Sequence, residues 1–139
     1  MYVCVCKCTY VCVFVGTCVY VCTCVRTCEY VWVCVCTCMY VCLCLRKFAY
    51  MYVLVHMCVY VFVHVCTCAY MFVHICMYAY MCVGVRISAY VYIRVCTCKY
   101  VCILVRTCAY VYIRVNTCMY LGIYVCMCVF VCIYVHNCV

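Results

Sequence analysis

The sequence predicts an all-β chain. Three observations carry that expectation: an unbroken two-residue alternation, a decapeptide repeat running from end to end, and a vocabulary rich in strand-forming side chains. Every cysteine, tyrosine, arginine, histidine and phenylalanine has an even number, and every valine, isoleucine, methionine, threonine, alanine and lysine an odd one. Period two is the signature of a strand, whose successive side chains point to opposite faces. Val, Ile, Tyr, Phe and Thr also favour pleated surfaces. A helix is contradicted, because ten residues at about 100° each would step the tyrosines some 80° around its axis per repeat.

The repeat is clearest in Val91–Tyr100, VYIRVCTCKY, and Val111–Tyr120, VYIRVNTCMY, which share eight of ten positions. Tyrosine closes the unit at every tenth residue from Tyr10 to Tyr120, and Phe130 then takes the place. Counting from the residue after that tyrosine, place eight is cysteine in 11 of 14 units and place five is valine in 12 of 14. Residues 1–139 therefore form a single low-complexity repeat region with no separate domain or linker.

A strand of this length must fold back, since fully extended it would span roughly 460 Å. Turn formers are few: Gly16, Gly84, Ser88, Asn116, Gly122 and Asn137. The natural corner is places seven to nine, where Thr, Lys, Glu and Ala collect, as in Thr27-Cys28-Glu29. Two architectures fit, an antiparallel meander and a solenoid-like stack with ten residues per coil, beside the alternative of no stable unique fold. The meander is favoured, because a closed ten-residue coil leaves little room for corners. It would set Arg26, Arg46, Arg86 and Arg106 opposite Tyr30, Tyr50, Tyr90 and Tyr110, within reach of cation–π contact. Either way the Val/Ile face needs a second sheet, another chain or lipid to cover it.

Composition sets the outer bounds. Hydrophobic residues make up 79 % of the 139 and charged residues 7 %, proline is absent, and the mean hydropathy is +1.41. Ordinary soluble domains are about 45–50 % apolar and about 25 % charged, so too little polar surface is present to cover a soluble monomer. The formal charge is +8, with Glu29 the one acidic residue. Nucleic-acid binders gather their cations on one face. In this sequence they stand singly apart from Arg46-Lys47 and a looser group, Arg86, Arg94, Lys99, Arg106 and Arg114, so no nucleic-acid partner is expected. The expected associations are with further copies of the chain through the valine face, or with a membrane. No convincing signal peptide precedes the repeat: Lys7 sits late and no small-x-small site follows.

The two vocabularies share a cause in the genetic code. Cys, Tyr, Phe, Arg, Gly, Ser and Trp lie at or one base from TGT; Val, Met, Ala, Leu and Glu lie at or one base from GTG. Alternating GTG and TGT is what any frame of a GT dinucleotide repeat encodes, and it holds no stop codon. Over all 139 residues the chain resembles the conceptual translation of degenerate GT-rich tandem-repeat DNA, whose unit of ten codons is thirty bases. That resemblance is to no characterised family, carries over no functional residue, and implies no specific biochemical function.

Cys-x-Cys recurs, for example at Cys34/Cys36/Cys38 and Cys96/Cys98, and thiolates so spaced suit soft metals such as Zn and Cu(I). Metallothioneins share the spacing but are polar and nearly free of aromatics. Each histidine is followed two residues on by cysteine: His56-Cys58, His64-Cys66, His74-Cys76 and His136-Cys138. Cysteine already dominates the even places, so adventitious binding by many thiols is the expectation, with no assigned metal, cofactor or catalytic residue. With Glu29 alone and no Asp, paired-carboxylate chemistry is excluded, and no Gly-rich phosphate loop occurs. The chain is expected not to be an enzyme.

Two further alternatives remain. Met51–Val85 and Val115–Val135 carry no formal charge and are long enough to cross a bilayer as helices, which needs about 20 residues. A repetitive structural protein crosslinked through Cys and Tyr is the other. The gene itself tests the origin of the rhythm. Base differences between repeat units are expected to fall equally on all three codon positions; a concentration at silent sites would show selection on the protein.

Overall fold

A computed structural model describes residues 1–138. They form one continuous strand, β1 (Tyr2–Cys138), with no helix, so the chain is a repetitive all-β structure. The stretches at 51–85 and 115–135 are strand like the rest, and no helix is long and apolar enough to cross a membrane.

The strand winds into a solenoid whose coil is twenty residues, two decapeptides, and not ten. Tyr30 stacks on Tyr50, Tyr50 on Tyr70 and Tyr70 on Tyr90, with ring centroids 4.9–5.1 Å apart. Tyr40, Tyr60, Tyr80, Tyr100 and Tyr120 make a second column at 4.7–5.0 Å. A constant offset of twenty between paired residues means that neighbouring coils run parallel; an antiparallel pair would keep a constant sum instead. The favoured meander therefore does not form. Its Arg–Tyr pairs are replaced by Tyr–Tyr pairs, and the cation–π contact present among the described residues is Lys99 over Tyr100, 5.6 Å from the ring centroid. The spacing of the columns matches the distance between hydrogen-bonded strands, about 4.8 Å. At the first coil the Cys22 amide donates to the Met1 carbonyl at 2.9 Å.

Twenty residues give what ten could not. Places one, three and five are buried in the decapeptides from Val11 to Tyr120, as in Val31, Val33, Val35 and again in Val41, Leu43, Leu45, and open to solvent only in the terminal units. The first set belongs to one layer and the second to the opposite layer, so the valine side of one decapeptide is covered by the next. The second sheet that the valine side chains need comes from the same chain. Val33, Val53, Val73, Ile93 and Ile113 are wholly buried, and burying such side chains is worth roughly 1.5–3 kcal/mol each.

The corner shows why alternation never breaks. After place five, places six and seven both face outward, place eight turns inward, and places nine and ten both face outward again. Two reversals of facing in each decapeptide restore the starting phase. No described residue has positive φ, so these corners stay within extended backbone and need no glycine or asparagine. The inward side chain at place eight holds the bend. Its thiol donates to the carbonyl two residues on: Cys28 to Tyr30 at 3.0 Å, Cys38 to Tyr40 at 3.2 Å, Cys58 to Tyr60 at 3.3 Å. Ser88 makes the same bond to Tyr90 at 3.1 Å, whereas Phe48 at this place has no donor and the Tyr78 hydroxyl is unpaired.

Among the described residues, three buried polar atoms lack a hydrogen-bond partner, the Thr23 and Tyr78 hydroxyls and Arg94 Nε, and the first lies deepest in the core. Thr23 holds place three, is wholly buried, and its hydroxyl has no hydrogen-bond partner. A buried unpaired hydroxyl costs roughly 1–3 kcal/mol. Thr23→Val is expected to raise stability by about that amount, read as a higher denaturant midpoint in reductant; an unchanged or lower midpoint would contradict this packing.

Candidate functional site

Three aromatic columns and several thiol columns cover the outside of the solenoid. On one layer, the column Tyr10–Tyr30–Tyr50–Tyr70–Tyr90–Tyr110–Phe130 runs beside a second, Trp32–Tyr52–Phe72–Tyr92–Tyr112. Between them lies an open groove floored by Val31, Met51, Met71, Val91 and Val111. The central rings are nearly parallel, within 8° of one another. Centroids near 4.9 Å with parallel planes describe offset stacking, worth about 0.5–1.5 kcal/mol per pair beyond area burial. Tyr50, Tyr70, Tyr90 and Tyr110 still leave 42–45 % of their surface exposed.

The 27 cysteines are all free thiols, but they fall into two environments. Those at place eight are corner groups. Burial pushes the Cys58 and Cys68 thiols up from the ordinary 9.0 to about 11. Cys38 beside Cys58 adds to that rise, while the Ser88 hydroxyl, 3.1 Å from the Cys68 sulfur, opposes it. The others lie on the outer faces, where Cys4, Cys6, Cys12 and Cys102 are exposed.

The twenty-residue offset also joins residues that sequence spacing keeps apart. Cys76 has His56 one coil before it and Cys96 one coil after it, while His74 lies two residues away on the same side of the strand. The Cys76 sulfur is 3.9 Å from His56 Nδ1, and the Cys96 sulfur is 3.7 Å from His74 Nε2. The donor atoms of His74, Cys76 and Cys96 all lie within 4.8 Å of one another, the one such His/Cys/Asp/Glu group among the described residues. All three are half-buried. Desolvation, then the Arg94 charge, then His56 lower the pKa of His74 and favour its neutral ring. Desolvation and the neighbouring Cys96 raise that of Cys76, while Arg94 opposes the rise.

The His-x-Cys repeat is thus only half of the arrangement. His74-Cys76 is visible in sequence; its partners at 56 and 96 become neighbours only once the coil length is known. His64-Cys66 is not drawn into this group: His64 instead lies against Gly84, where an added Cβ would meet its ring at 3.3 Å. The same offset gathers cations that look scattered: Arg26, Arg46, Arg86 and Arg106 hold one place in successive coils, with Cys66 between the second and third.

No protein family, no curated protein and no solved structure matches this chain. Nothing beyond its own residues gives it a specific biochemical function.

Thiol chemistry follows from the two environments. A rise from 9.0 to about 11 leaves about a hundredfold less thiolate at pH 8, the species that alkylating agents attack. Cys58 and Cys68 are therefore expected to label with iodoacetamide at least a hundredfold more slowly in the native chain than after denaturation. Because their pKa is raised on folding, their contribution to stability is intact below pH 9 and is lost as pH climbs through about 11. Mass mapping of labelled peptides and denaturation midpoints across that range check both outcomes.

Proposed function

We propose that the chain performs no catalysis and acts, where it is made, as a structural β-solenoid that associates with further copies of itself along its aromatic groove. The groove carries this reading: two aligned aromatic columns repeat every 4.8–5.1 Å over successive coils, floored by apolar side chains. A second copy brings the same rung spacing, so ring can meet ring along the whole length without a register penalty. Exposed apolar stretches of this extent belong to interaction surfaces. The occupant is taken as another copy because periodic matching is a property this chain supplies by itself.

The absence of catalysis rests on the chemistry of the groups at hand. The contacts His56–Cys76 and His74–Cys96 are long, and Arg94 stands next to His74 where a nucleophilic pair would need a carboxylate to orient and stabilise its imidazolium. Glu29, the one acidic side chain, sits at a corner beside Lys7, Thr9 and Thr27, far along the stack from both pairs.

Sedimentation of the full chain in reductant tests the association. The wild type is expected to form large assemblies that bind a groove-directed amyloid dye. Tyr50→Ser/Tyr70→Ser/Tyr90→Ser, with an unchanged far-UV spectrum, is expected to raise the concentration needed for assembly at least tenfold. An equal tendency to assemble in that variant, or a monomeric wild type, would overturn the reading.

A further inference from the structure

We propose that His74, Cys76 and Cys96 form a specific binding site for a zinc-class divalent ion, built across two adjacent coils on the outer face of the solenoid. Their placement follows from three independent features of the chain. The strand sets His74 and Cys76 on the same side, two residues apart. The twenty-residue coil sets Cys96 next to Cys76. Substitution within the repeat has put histidine at place four in the coil where place six is cysteine twice running.

The geometry suits the ion. Tetrahedral zinc, with Zn–S near 2.3 Å and Zn–N near 2.0–2.1 Å, puts its donors roughly 3.5–3.8 Å apart. The Cys96 sulfur is already 3.7 Å from His74 Nε2, and the whole set lies within 4.8 Å, so rotation of side chains about existing bonds closes the shell. His56 Nδ1 is 3.9 Å from the Cys76 sulfur but falls outside that set, so water completes a four-coordinate shell.

Charge acts in both senses: the Arg94 cation beside His74 repels a divalent ion, while it favours the neutral imidazole and the thiolate that would ligate one. Two thiols on adjacent coils resist joint ionisation, which is why Cys96 opposes the Cys76 thiolate. A divalent ion removes that conflict, since two thiolates and one dication sum to zero. On binding, each cysteine releases its proton to solvent and donates a sulfur lone pair to the metal; no electron changes hands. The neutral form favoured for His74 is the one that can ligate. All three residues are half-buried, whereas the thiols at Cys4, Cys6 and Cys12 are exposed.

The test must separate one built site from 27 thiols. The full chain, refolded anaerobically in a phosphine reductant, is loaded with one equivalent of Zn²⁺ and its X-ray absorption recorded. The expected shell holds two sulfur and two nitrogen or oxygen donors with an imidazole signature; a shell of three or four sulfurs would mean scattered thiolate capture and overturn the site. In competition with a chromophoric chelator, His74→Ala/Cys76→Ser is expected to weaken the first equivalent at least a hundredfold. His64→Ala/Cys66→Ser, the same pair one decapeptide earlier, is expected to leave it unchanged. Equal affinity in the first variant, or equal loss in both, would overturn the proposal. These side chains face outward, so far-UV spectra should be the same throughout; if the first variant unfolds, the absorption shell of the wild type decides alone.

Discussion

Everything in this molecule depends on closing the strand after twenty residues. A parallel coil brings residue i over residue i+20, and each later feature inherits that offset: aromatic columns, corner thiols, the line of arginines and the His/Cys group. The closing device is the inward side chain at place eight. It turns the facing of the strand twice within five residues and bonds the carbonyl just beyond the bend. Cysteine and serine at this place combine a size that fits the corner with a donor for that carbonyl. Phe48 and Tyr78 occupy the same buried place with larger side chains.

The class of fold was legible in the sequence, with a solenoid-like stack among its two architectures, but the twenty-residue coil was not, for a physical reason. Alternation reports that side chains point to opposite sides of a strand, and it does so for Val31, Val33 and Val35 without error. It cannot report a reversal of facing when the residue that turns inward comes from the outer-face vocabulary. Cys38 and Cys58 share their even parity with Tyr40 and Tyr60, yet the first pair is buried and the second exposed. The frequent cysteine at place eight was the available signal. Its meaning emerges only when a thiol is weighed as a small buried side chain, a role free cysteine fills readily. The missing turn formers misled in the same direction, since the corners never leave extended backbone. Of the His/Cys group, the local half at 74 and 76 could be read and the remote half could not, because contacts at twenty residues presuppose the coil.

The offset also converts harmless spacing into electrostatic conflict. Arginines twenty residues apart look isolated along the chain, but in the stack Arg26 and Arg46 are neighbours on adjacent coils, as are Arg86 and Arg106. Like charges directly opposite on adjacent strands are destabilising. Their exposure lets water and salt screen much of the repulsion, which falls away over a Debye length of about 8–10 Å near physiological ionic strength. The aromatic columns act in the opposite sense, contributing at every rung. Tyr50, Tyr70 and Tyr90 therefore hold the stack together on one flank while arginines push it apart on another.

A strict repeat explains why mixed sets of side chains are rare along such a stack. Identical units give uniform columns, and a uniform column of tyrosine or cysteine offers no mixed set of ligands. A mixed set requires substitutions that meet at i, i+2 and i+20 at once. Each column samples this with few chances: the place-four column of that layer runs Phe14, Cys34, Leu54, His74, Arg94, Arg114, and the place-six column Gly16, Cys36, His56, Cys76, Cys96, Asn116. Reading the two side by side, nitrogen and sulfur donors coincide over coils 54–56, 74–76 and 94–96. Arg94 brings a fixed positive charge to the same spot. A strictly repetitive chain can thus bring a mixed set of side chains together, because the regularity of the coil fixes the positions that supporting side chains fix elsewhere.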